Sequence, residues 1–186
     1  MSKLTTNVRL LSPAIKKKTA ATLTAVVCAV LLPQLVHLCG IMSGSGNSLG
    51  EILLPMHLPV MIVGMLAGPV AGMAAGLISP LVSFALTGMP AATVLPFMCI
   101  ELLSYGIMMG LLSSTRMPVP FKILVTQICG RAVRILATYF SFCILGSTSA
   151  SVHGFVGAIG RGWIGIALQL VIVTVCALLI DKREKR

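Results

Sequence analysis

The chain has 186 residues, of which 57% are hydrophobic and only 10% charged, and its formal net charge is +10. A soluble domain carries about 25% charged residues to cover its surface, so a soluble globule, and with it a soluble enzyme, is excluded. The positive charge does not mark a nucleic-acid surface either: eleven of the fourteen Lys and Arg sit at the termini or between Arg116 and Lys122.

The apolar runs are long and continuous, which fits membrane-crossing helices of roughly 20 residues and not the alternating pattern of a barrel strand. Residues 1–18 form a basic segment ending in Lys16, Lys17 and Lys18. The apolar run after it is too long for the core of a signal peptide and reads as the first helix, about Thr19 to Leu38. A Gly/Ser-rich loop follows, Gly40 to Gly50, then a second helix, Ile52 to Leu66. Gly68-Pro69 makes a tight turn into a third helix, Val70 to Leu86, and residues 87–90 turn into a fourth, Ala92 to Ser113. The basic loop Arg116 to Lys122 leads to a fifth helix ending near Leu145, the polar loop 146–154 to a sixth, Phe155 to Ile180, and a charged tail closes the chain at 181–186. The expected architecture is therefore an all-α, polytopic bundle of six transmembrane helices over 19–180, flanked by short basic ends.

Basic residues fall on one side of such a bundle. With six spans both termini share a side with the 116–122 loop, whereas the loops at 39–50, 87–91 and 146–154 contain no Lys or Arg. The positive-inside rule then places both termini in the cytoplasm of a multi-pass cell-membrane protein. The second and third helices are short and carry Pro55, Pro59, Pro69 and Pro80. Irregular backbone at membrane depth needs shielding by protein or a wet cavity, so this region is expected to line or support a cavity near the outer face.

Two small-residue series stand out: Ala21, Ala25 and Ala29 on the first helix, and Gly64, Gly68, Gly72 and Gly76 across the second and third. Such faces let helix backbones approach closely in lipid. The glycines read chiefly as internal packing, the alanines as a face that could meet a partner. Four ionisable residues fall within the spans: Glu101, Arg131, Arg134 and Arg161. A charge at the bilayer centre costs at least ~2.5 kcal/mol and implies a partner or a function. Arg131 and Arg134, three apart, share a face. Arg131 is the expected structural partner of Glu101, leaving Arg134 and Arg161 for an anionic ligand group; a Glu101–Arg pair that only locks two helices together is the alternative. His37, His57, His153 and Glu51 lie towards the outer side and read as cavity or interface residues. The six cysteines form no CxxC pair, and no metal site or other cofactor is expected. No P-loop motif occurs, and four acidic residues leave little material for acid–base catalysis.

The segment Leu54-Pro-Met-His-Leu-Pro-Val60, with Gly64, Gly68-Pro69, Gly72, Gly76, Pro80 and Leu86-Thr-Gly-Met-Pro90, is similar to the substrate-binding S-components of energy-coupling-factor (ECF) vitamin transporters. Glu101-Leu-Leu-Ser-Tyr-Gly106, Gly110, Gly130-Arg131, Gly165 and Gln169-Leu170 continue the likeness over roughly residues 20 to 180. The resemblance implies a partner assembly of a membrane coupling subunit and two cytoplasmic ATPases, docking through Ala21, Ala25 and Ala29. It also implies a vitamin site in the outer half, between the fourth to sixth helices and the outer loops, drawing on Glu101, Arg134, Arg161, His57 and His153. Met56-His57 resembles the start of cobalt and nickel S-components, but there the metal needs a free chain N-terminus, so metal is discounted. Among substrates the expectation leans to pantothenate, whose carboxylate suits Arg134 or Arg161; a neutral or larger vitamin stays open. The rival reading is a self-sufficient proton-coupled carrier or channel with Glu101 as the proton-linked residue.

Overall fold

In lipid every backbone N–H and C=O must be satisfied within the chain, and a continuous apolar run achieves this as a helix. The computed structural model describes residues 13–44, 52–145 and 163–184. They form six helices: α1 (Pro13–Met42), α2 (His57–Ala67), α3 (Pro69–Thr87), α4 (Leu95–Ser113), α5 (Val119–Leu145) and α6 (Trp163–Glu184). Four stretches are long and apolar enough to cross a membrane: Lys16–Met42, Pro69–Thr87, Leu95–Ser113 and Val119–Cys143. The protein is thus an all-helical membrane protein. The six expected helices are present, but the two apolar helices His57–Ala67 and Trp163–Leu179 are shorter than the four. At a 1.5 Å rise per residue, α2 is roughly half as long as a ~30 Å bilayer core is thick.

The shortness of α2 has a local cause. Leu54 sits at φ 48°, and the residue before a proline is disfavoured in the right-handed helical region. The turn at 52–53 therefore cannot run on through Leu54-Pro55, and α2 starts at His57 instead of the expected Ile52. At the other boundaries α1 extends further at both ends than its hydropathy suggested, and α4 begins three residues late, with Pro96 in its first turn, where a missing N–H costs nothing. The start of the sixth apolar run, from Phe155, lies outside the described residues.

The bundle's outward faces are apolar. Leu23, Val27, Leu31, Leu35 and Leu38 make an exposed stripe along α1, while His57, Glu101, Thr126, Gln127 and Gln169 are buried. Soluble proteins show the opposite bias. Tyr139 and Phe140 late in α5 and Trp163 at the start of α6 are exposed at one end of the bundle, as an interfacial aromatic belt would be. At the other end Lys122 is buried, its Nζ donating to the carbonyls of Ser113 (3.0 Å) and Thr115 (2.9 Å). It caps the C-terminus of α4, where a cation is favoured.

Helix α4 is the hub, packing on α2, α3 and α5; α1 packs on α2 and α3, and α6 on α5 and α2. The α3–α4 contact is backbone on backbone. A Cβ placed on Gly72 would run into the carbonyl of Gly106, one on Gly106 into that of Gly72, and one on Gly76 into that of Leu102. Gly68 differs from the rest of its series: nothing lies within 4 Å of where its Cβ would be, and it is at φ 92°. It makes the turn, donating its N–H to the Gly64 carbonyl at 3.0 Å. The alanine series corrects an expectation. Ala25 and Ala29 are buried at 7% and 0% exposure, and Ala21 packs partly buried on the same core. This face is covered from within the chain, because small residues bring α1 close to its own neighbours.

Candidate functional site

Helices α2, α4 and α6 begin at the end of the bundle that carries the aromatic belt, and their first turns bring polar side chains together there. His57 is the first residue of α2, Glu101 lies in the second turn of α4, and Gln169 in the second turn of α6. Antiparallel to them, α5 carries Gln127, Arg131, Arg134 and Thr138 at three- and four-residue spacing, which sets them along one face.

His57, Glu101, Arg134, Gln127 and Gln169, with Tyr105, form one chain of contacts across four helices. Arg134 Nη1 donates to Glu101 Oε2 at 2.5 Å, and Glu101 Oε1 lies 3.6 Å from His57 Nε2. The His57 ring meets Tyr105 edge to face, with centroids 4.9 Å apart at 82°. Tyr105 donates its hydroxyl to Gln127 Oε1 at 3.0 Å. Gln127 Nε2 donates to Gln169 Oε1, and Gln169 Nε2 to the carbonyl of Leu54 at 3.2 Å. The strained Leu54 carbonyl also accepts from the backbone N–H of His57 at 3.2 Å, so the break before α2 is what turns an acceptor towards α6. Glu101, His57, Tyr105, Gln127 and Gln169 are all at least 97% buried. Burying a carboxylate costs several kcal/mol unless it is paired and hydrogen-bonded, and here the guanidinium of Arg134 supplies that pairing.

The pairing reverses an expectation. Arg131, next to Gly130 and nearer the basic side, was the expected partner of Glu101, with Arg134 left for ligand, but Arg134 holds the carboxylate. Arg131 stands one turn away, beside Gly130, whose Cβ position lies 2.9 Å from the Tyr105 ring. Its Nε and Nη2 atoms are buried and have no hydrogen-bond partner; both ring nitrogens of His57 likewise lack one. The structure therefore brings together Glu101, Arg134 and His57 among the expected site residues. Arg161 and His153 lie outside the described residues, and Ala21, Ala25 and Ala29 pack elsewhere. Gln127 was missed, although an amide in an apolar span is itself a signal of a buried polar contact. Tyr105 and Gln169 entered only through motif likeness.

Among the described residues no group of three or more His, Cys, Asp or Glu is assembled that could hold a metal ion. An open groove of about 440 Å³ between α4 and α5, lined by Leu103, Ser104, Ile107, Met108, Cys129, Ala132 and Val133, carries no charged group. No family model, no curated protein and no solved structure matches the chain.

Proposed function

We propose that the protein is the substrate-binding subunit of an ECF-type importer in the cell membrane, capturing a vitamin-class micronutrient at the outer face for uptake driven by partner ATPases. The observation that carries this reading is the buried Arg134–Glu101–His57 cluster with an unmatched Arg131 beside it, held at one end of an apolar bundle. Ionisable groups at membrane depth default to a solute or ion pathway, and cavities between bundle helices are where such ligands sit. The motif likeness and the missing nucleotide-binding loop support separate ATPase chains. Docking on a coupling subunit then falls to surfaces other than the alanine face. Both termini and the 116–122 loop are placed in the cytoplasm by their basic residues, which sets the cluster on the outer side. In a cysteine-free background, single cysteines at Ser43 and Met117 test this: Ser43 should label from outside intact cells and Met117 should not.

The proximity of His57 to Glu101 favours one rival, a proton-coupled carrier that needs no ATPase. Uptake in cells with and without the ATPase partners decides between them. Uptake that stops without the ATPases supports the importer subunit. Uptake that persists without them and collapses with the proton gradient supports the carrier.

A further inference from the structure

The two arginines on the inner face of α5 are chemically unequal. Arg134 is committed to Glu101, whereas Arg131 buries Nε and Nη2 without a partner. Those two atoms form one edge of the guanidinium, where two N–H bonds point in parallel, spaced to grip both oxygens of a carboxylate or phosphate. The local charges also fail to balance. Among the described membrane-depth residues near this point, Glu101 is the one anion and Arg131 and Arg134 are two cations. Arg131 itself is half-buried, but its Nε and Nη2 atoms are buried with no acceptor, and buried N–H donors are ordinarily hydrogen-bonded, so an anion would complete the arrangement. Its neighbours restrict where that anion sits: Gly130 lies against the Tyr105 ring, and Tyr105 is held by both His57 and Gln127.

We propose that the Nε/Nη2 edge of Arg131 is the anion-binding element of the site, gripping a carboxylate or phosphate oxygen pair of the solute. The inference rests on the solute-binding reading and names the chemistry that solute carries. Arg134 is the positioning residue that keeps Glu101 from occupying Arg131.

The test uses the full chain, with arginine Nε labelled with ¹⁵N, in nanodiscs of uncharged phosphatidylcholine. It is titrated with sodium acetate and with inorganic phosphate, against sodium chloride at equal ionic strength. The Arg131 signal is identified by its loss in Arg131→Gln, with Arg131→Lys as a second variant that keeps the charge and lacks the fork. The Arg131 Nε–H signal should move downfield and saturate with acetate or phosphate but not chloride, while that of Arg134 moves less. Arg131→Lys should bind either anion at least about tenfold more weakly, as expected for losing one charge-assisted bond of two. A signal that moves only when phosphatidylglycerol replaces part of the neutral lipid would assign the edge to a lipid headgroup and overturn the solute site. A signal that responds to nothing, or to chloride equally, overturns anion binding altogether. Anion binding without any uptake would discard the transport reading and leave the role of Arg131 standing; uptake with an unresponsive Arg131 would do the reverse.

Discussion

Helix α4 presents two unlike faces to its neighbours. Towards α3 it offers Gly106 and the carbonyl of Leu102, so closely seated that neither Gly72 nor Gly76 could carry a methyl group. Towards α2 and α5 it offers Glu101 and Tyr105, joined to their partners by side-chain bonds of 2.5 and 3.0 Å. The glycine seam has no donor left over and no side chain that could turn; it sets how near two helices stand. Around the polar face, α5 and α2 bring surplus donors, Arg131 and His57. In a membrane bundle the first kind of contact fixes geometry and the second leaves chemistry available, and one helix does both by spacing its glycines and its polar residues on different sides.

That contrast can be broken by substitution, with thermal unfolding in one detergent as the common measure. Glu101→Gln should have the largest effect, about 3–5 kcal/mol, because it removes the buried carboxylate that Arg134 and His57 both meet and so breaks a buried ion pair. A loss under about 1 kcal/mol would mean that water reaches the pair. Gly106→Ala comes next, at about 3 kcal/mol, since the added methyl meets backbone and no rotamer can relieve it; near-wild-type stability would show that the α3–α4 seam is looser than described. Tyr105→Phe should cost about 1–1.5 kcal/mol, one buried hydrogen bond to Gln127. Smallest is Arg131→Gln in the absence of ligand, within about 1 kcal/mol of wild type, because it removes a charge that has no partner. If Arg131→Gln destabilised as much as Arg134→Gln, the two arginines would be equivalent and the division of roles would fail.

Hydropathy made most of the helix boundaries legible, and the basic residues offered a consistent topology. What escaped the sequence was direction. Ala21, Ala25 and Ala29 recur every four residues whether they face a partner or the chain's own core, and only packing against α2 and α3 decides. Arg131 and Arg134 share a face by spacing, so the pattern could not tell which one reaches Glu101. The late start of α2 was foreshadowed by Leu54-Pro55, a pair that opposes helix, but the apolar run through Ile52 and Leu53 masked it. Gln127 and Gln169 are forty-two residues apart, and nothing local announces that they meet.

The proposed anion site is Arg131 on α5, beside the polar face of α4. The most direct test is mass spectrometry of small molecules retained by the purified full-length protein, comparing wild type with Arg131→Gln at matched folded fraction. The account predicts that wild type retains a vitamin-sized compound bearing a carboxylate or phosphate, and that Arg131→Gln loses it by at least about thirtyfold in affinity. Retention of the same compound by both proteins at equal affinity, or of a compound with no anionic group, would contradict it.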